Sequence, residues 1–209
     1  MIAIFNVDPD RPAWEFELFG QNPFNWILNG VALLSAAEGT YQRYSDASRL
    51  HNKLFARNPT EVITAIDRVL TGGELEILPD LQLGPVSLML GGFGLENLMK
   101  ALIVHSDPSI IQGNVGLPKS LKEHRLERLA RRCALEIDAE TERGLRAVSQ
   151  FVIWAGRYPI PTRPLDTPTN PFETSGPTRP SVDYLWRHLQ VLSALLRERV
   201  KELYPHVTV

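Results

Sequence analysis

Cysteine is nearly absent from this 209-residue chain, which has one, Cys133. A lone thiol excludes a disulfide framework and a four-cysteine zinc site, and fits a reducing compartment. Charge of one sign is also lacking. Lys and Arg number 22 against 24 Asp and Glu, for a formal charge of -2 and a pI near 6.2. That balance excludes a chain that binds nucleic acid through bulk positive charge. The five histidines (His51, His105, His124, His188, His206) include no i,i+4 pair and no His-Glu-x-x-His. No metal site follows from their spacing, and no cofactor is expected. A Gly-x-Ser-x-Gly elbow is missing too.

Met1 to Phe5 is apolar but lacks a positive leader, and Asp8-Pro9-Asp10 ends the run; no targeting segment is read there. The longest apolar run, Leu81 to Leu95, is about four residues short of a membrane span. Gly84-Pro85 breaks it, and Glu96 and Lys100 follow. The expectation is a cytoplasmic protein without a membrane partner. What the chain does have is 44% apolar residues, enough for a packed core.

Proline placement marks helix starts. Asn22-Pro23, Asn58-Pro59 and Gly84-Pro85 each put a capping residue before a Pro at the first helical position. The spacing predicts helices over 23–49, 59–70, 85–105, 119–134, 137–156 and 182–203. Ser181 would cap the last, whose Leu185, Leu189, Leu192, Leu196 and Leu203 make one apolar stripe. Trp14 to Leu18 alternates apolar and acidic residues and reads as a short strand or arm, and Glu74 to Leu78 as a second short strand. Residues 156 to 180 hold seven of the 16 prolines and form an extended connector. The expected organisation is an extended arm (1–20), an all-α antiparallel helical bundle (21–158), a Pro-rich connector (159–180) and a C-terminal amphipathic helix (181–209).

The segment from Pro85 to Val104 is apolar nearly all round, which marks a helix buried within the bundle. Gly91, Gly92 and Gly94 each weaken it by roughly 1 kcal/mol relative to Ala, so a neighbouring backbone should approach closely there. Its only charges, Glu96 and Lys100, stand in the favoured i,i+4 order. They are read either as a structural polar contact that fixes register or as a site carboxylate and ammonium.

Between Lys119 and Arg132 there are six basic residues and two acidic ones, a local charge of +4 on a remainder of -6. On a helical wheel Leu126, Leu129 and Cys133 share the apolar arc, Arg125, Arg128 and Arg132 an adjacent one, and His124 lies nearer Arg128 and Arg131. A basic stripe beside a histidine can grip a phosphate; the alternative is a solvated helix face. Farther on, Gly156 and Pro159 close the helix before, placing Arg157 at its negative end, where a guanidinium can hold a phosphate bidentately.

In order, Glu96 to Ala101, His124 with Leu126 and Leu129, and Arg157-Tyr158-Pro159 resemble the motifs of the HEPN family (higher eukaryotes and prokaryotes nucleotide-binding). The similarity covers about residues 20–160. It implies an antiparallel, often dimeric helical bundle linked to nucleotides, RNA, and defence or toxin–antitoxin systems. It also implies Lys100, His124, Arg157 and Tyr158 as site positions. The chain departs from the pattern at Arg125 and Ile160, where acidic residues are common in the family. The downstream His of nuclease members is missing after Arg157. Arg199 and His206 have a permitted spacing, which chance supplies at about one hit in a chain like this.

The leading expectation assigns His124 and Arg157 as catalytic or phosphate-gripping groups, Lys100, Arg128 and Tyr158 as ligand-binding, and Glu96 as a structural polar residue. Cleavage of RNA would be metal-independent, with His as acid–base and Arg stabilising the developing charge. The rival is a non-catalytic homodimerising or regulatory module, binding a protein partner through the apolar stripe of the 182–203 helix and the Pro-rich arm.

Overall fold

Asn22 starts the first helix as its side chain suggests, its Oδ1 accepting the Phe24 N–H at 2.9 Å. The computed structural model describes residues 22–55, 77–111, 118–155 and 180–207. Its helices are α1 (Pro23–Phe55), α2 (Ile77–Leu81), α3 (Leu83–Ser106), α4 (Leu126–Arg132), α5 (Ala139–Gln150) and α6 (Val182–Leu203). Short 3₁₀ turns lie at Pro108–Ile110 and Lys119–Leu121, and α5 runs on as a π-helical turn, Phe151–Ala155. Among the described residues there is no strand, and the fold is an all-α bundle, as expected.

Helix α3 is the axis. Fifteen of its 24 residues are buried, which is why its sequence is apolar on every face. It packs antiparallel to α1, with Gly94 opposite Gly30 and Gly84 against Tyr44. A Cβ on either Gly30 or Gly94 would stand 3.0 Å from the other's carbonyl oxygen, so the close backbone approach inferred from the glycines is present at Gly94, whereas Gly91 and Gly92 face the side chains of Leu189 and Val152. Helix α6 runs in the same direction as α3, with Val182 beside Gly84, Leu189 beside Gly91 and Tyr204 hydrogen-bonded to His105. The Ser181 cap accepts the Tyr184 N–H. Tyr41 stacks on Trp186 and donates to Asp183, which fastens α1 to the first turn of α6.

The apolar stripe of α6 faces inward. Leu185, Leu189, Leu192 and Leu196 are at most 2% exposed, each burial contributing about 1.5–3 kcal/mol. That stripe is therefore covered by the chain's own core; Val191 and Leu195 are the large apolar residues α6 turns outward.

Several expected elements differ. The single helix over 119–134 is instead a 3₁₀ turn, an extended stretch and the short α4. The cause is Glu123, whose Oε1 accepts the N–H groups of His124 (3.2 Å) and Arg125 (3.1 Å) and so competes with helical hydrogen bonding. The Leu126 N–H, at the start of α4, is taken by Ser149 Oγ from α5. Helix α3 begins at Leu83, placing Pro85 in its first turn, where a missing N–H is tolerated. The Gly84-Pro85 pair is thus no break. The stretch Pro79–Ser106 is, among the described residues, the one helical segment long and apolar enough to cross a membrane, and 72% of its most apolar window is buried inside the bundle. Ile77 and Leu78, expected in a strand, open α2, with Pro79 in its first turn. The arm strand 14–18, the helix 59–70 and the connector over 156–179 lie outside the described residues.

Candidate functional site

Glu96 and Lys100 are one turn apart on the buried face of α3 and pair at 2.6 Å. Their side chains are only 9% and 6% exposed. The Glu96 carboxylate also receives His124 Nδ1, 3.0 Å from each of its oxygens. This meeting depends on the broken helix: the extended backbone at Arg125 (φ -84°, ψ 106°) turns His124 toward α3, where a continuous helix would carry it away. The His124 side chain is 49% exposed.

The chemistry follows from the donor inventory. An ionised carboxylate only accepts, so His124 holds its proton on Nδ1, and in the neutral ring Nε2 carries the free lone pair. Nε2 has no hydrogen-bond partner among the described residues. A buried carboxylate therefore orients a half-exposed imidazole, and the Lys100 ammonium offsets the carboxylate's charge. Lys100, grouped with the ligand-binding residues as a buried charge completing the pocket, is enclosed and paired with Glu96.

The segment that carries His124 also lines a basic groove of about 780 Å³. Lys119, Lys122, Arg128, Arg131 and Arg132 line it, with Ser120 and a single acid, Glu123. Arg128 reaches Glu123 at 3.3 Å, Arg131 pairs with Glu142, and Arg132 donates to the Ser120 carbonyl. Burial pulls the Glu123 carboxyl upward, but the Arg125 N–H, the Arg128 guanidinium and the His124 N–H outweigh it and hold it below its ordinary value. Arg128, grouped with His124 from the sequence, belongs to the groove, whereas His124 turns to Glu96. Glu123 joins the two.

A second buried polar set supports α4. Ser149 Oγ lies 3.2 Å from Glu127 Oε2 and 2.8 Å from the Leu145 carbonyl while accepting from Leu126. Neither this set nor the Glu96–His124 link was anticipated, because each joins residues more than 20 apart in sequence. A cue was available in Glu123-His124-Arg125, whose acid can cap its own backbone. Cys133 packs partly buried with Sγ 3.3 Å from the Met99 carbonyl, and burial pushes its thiol up to about 12, as befits a packing residue. Arg157 and Tyr158 lie outside the described residues. Among those described, no group of three His, Cys, Asp or Glu converges on a metal-sized site.

No family model, no curated protein and no solved structure matches this chain.

Proposed function

We propose that the chain is a HEPN-like helical protein that binds a nucleotide or RNA through phosphate in the basic groove, with His124 as its acid–base group. The observation that carries this reading is the buried Glu96 carboxylate, which holds both Lys100 and the Nδ1 of a half-exposed His124, the residue that follows groove-lining Glu123 in the chain. With RNA, His124 Nε2 would take the proton of a ribose 2′-hydroxyl as that oxygen attacks the adjacent phosphorus. The groove cations would stabilise the charge gathering on the phosphoryl oxygens, and the bond from phosphorus to the 5′-oxygen would break, that oxygen taking a proton from water and leaving a 2′,3′-cyclic phosphate. This reading suits a component of a defence or toxin–antitoxin system. Its membership, its site in Arg157 and Tyr158, and its dimeric state rest on the resemblance alone.

The deciding experiment is RNA cleavage in EDTA by the full chain and by His124→Ala. Cleavage by the wild type that is lost in the variant supports the reading, and cleavage unaffected by the substitution refutes the role of His124. Binding is tested separately by thermal shift with nucleotides and short RNAs. A ligand at 100 times its Kd stabilises by about 2.7 kcal/mol. In a chain of this size that is a rise of roughly 5–11 °C. No shift with any of them refutes the phosphate groove.

A second reading, a dimerising module without catalysis, draws on the outward i,i+4 apolar pairs Phe24/Leu28 and Val191/Leu195. Sedimentation equilibrium on wild type and Leu28→Asp tests it; a monomeric wild type refutes it.

A further inference from the structure

Five cations line the groove against one carboxylate, and that carboxylate is used at both ends. Glu123 Oε1 receives the His124 and Arg125 N–H groups, which anchors it in place. Its Oε2 is left to Arg128, at 3.3 Å, where a tight charge-assisted bond would measure about 2.7–2.9 Å. The Arg128 side chain is 53% exposed, so its guanidinium can turn to another anion at little cost. Lys119 and Lys122 have no ion-pair partner among the described residues. The groove is thus a cationic cavity in which one fixed negative charge stands where an incoming anion finds its guanidinium.

We infer that Glu123 is an internal competitor for ligand phosphate: an entering phosphate takes Arg128 from it, and the fixed carboxylate sets how tightly the groove holds. The inference rests on the phosphate reading above and adds the residue that tunes it. One unit charge about 4 Å from another in water contributes about 1 kcal/mol, so neutralising Glu123 should tighten binding roughly fivefold. Glu123→Gln is the informative change, because its amide oxygen still accepts the two backbone N–H groups while the charge is lost.

The test is fluorescence anisotropy with a labelled ten-uridine RNA, using full-length wild type, Glu123→Gln, Arg128→Ala and the double variant. Unlabelled ATP and unlabelled RNA serve as competitors. Glu123→Gln should bind roughly fivefold tighter, with a salt slope steeper by about 0.7, one further phosphate contact on a single strand. In the Arg128→Ala background the gain should largely disappear, since the contested group is gone. Displacement by ATP identifies a nucleotide phosphate as the occupant, and displacement by RNA alone a phosphodiester; both support the inference. Equal affinity of wild type and Glu123→Gln overturns it and leaves the phosphate reading standing. The same gain with and without Arg128 also overturns it. No binding by any of the four proteins overturns both. The His124 ring ¹⁵N resonances should match in unliganded wild type and Glu123→Gln; a displaced signal means the change acts through the fold, which refutes competition.

Discussion

Replacing Glu96 by Gln tests whether the charges on α3 are truly enclosed. At 2.6 Å and an effective dielectric near 20, the Lys100–Glu96 attraction is about 6 kcal/mol before desolvation is counted. Desolvation costs several kcal/mol for each ion, so the intact pair contributes little net stability. Removing one partner is a different matter. Glu96→Gln keeps the shape and an acceptor, but leaves an ammonium with 6% exposure and no counter-ion. The expected loss is about 3–5 kcal/mol. For a chain of this length that is a drop in Tm of roughly 6–20 °C. Urea denaturation followed by circular dichroism measures it, as a lower midpoint at unchanged slope. The double variant Glu96→Leu/Lys100→Met removes both charges and should recover most or all of the loss. A cost below about 1 kcal/mol for Glu96→Gln, or a double variant no better than the single, would show that the pair is solvated and that the burial argument is wrong.

A Cβ on Gly92 would overlap Val152 Cγ2, so Gly92→Ala should cost about 1–3 kcal/mol in the same assay, with Val152→Ala restoring part of it; no loss would mean the helices separate freely. Ala134 sits at φ 50° after α4, where the Leu135 N–H reaches the Ala130 carbonyl and the Ala134 N–H the Arg131 carbonyl, an arrangement that favours glycine. Ala134→Gly should therefore raise stability by about 0.5–1 kcal/mol, and a lower urea midpoint would contradict this. Burial holds the His188 imidazole below its ordinary 6.5, against the pull of Glu140 and Asp138 and with the help of Arg187, and its Nε2 is buried without a hydrogen-bond partner among the described residues. Because the unfolded chain takes that proton first, its contribution is full above 6.5 and is lost as pH falls toward the lower folded value. His188→Leu should flatten that part of the stability–pH curve, and an unchanged slope would refute the assignment. Cys133 is partly buried with its thiol pushed up to about 12, so it should react with a thiol reagent at neutral pH far more slowly in the native protein than in the unfolded chain; equal rates would refute this.

The helix starts at Asn22 and Ser181 were readable because caps act locally. Asn22 and Ser181 hydrogen-bond backbone groups two and three residues away, within reach of any short-range pattern. The buried character of α3 was equally readable, since a helix apolar on every side has no face to give to water. The break before α4 was not. A helical wheel assumes one continuous helix, whereas Glu123 spends its carboxylate on the backbone and Ser149, from another helix, receives the first N–H of α4. That error moved His124 to the wrong neighbours.

By itself the sequence determined an all-α bundle, a central helix buried with one Glu–Lys pair, and a local excess of positive charge before Cys133. Each of these depends on spacing within a turn or two, or on composition. Only the tertiary structure decided that Glu96, Lys100 and His124 form one polar unit, that the α6 stripe closes the chain's own core, and that Glu123 stands between the histidine and the groove. Those relations join residues far apart along the chain, and they exist only once packing excludes water and leaves each buried donor or charge to find its partner within the protein.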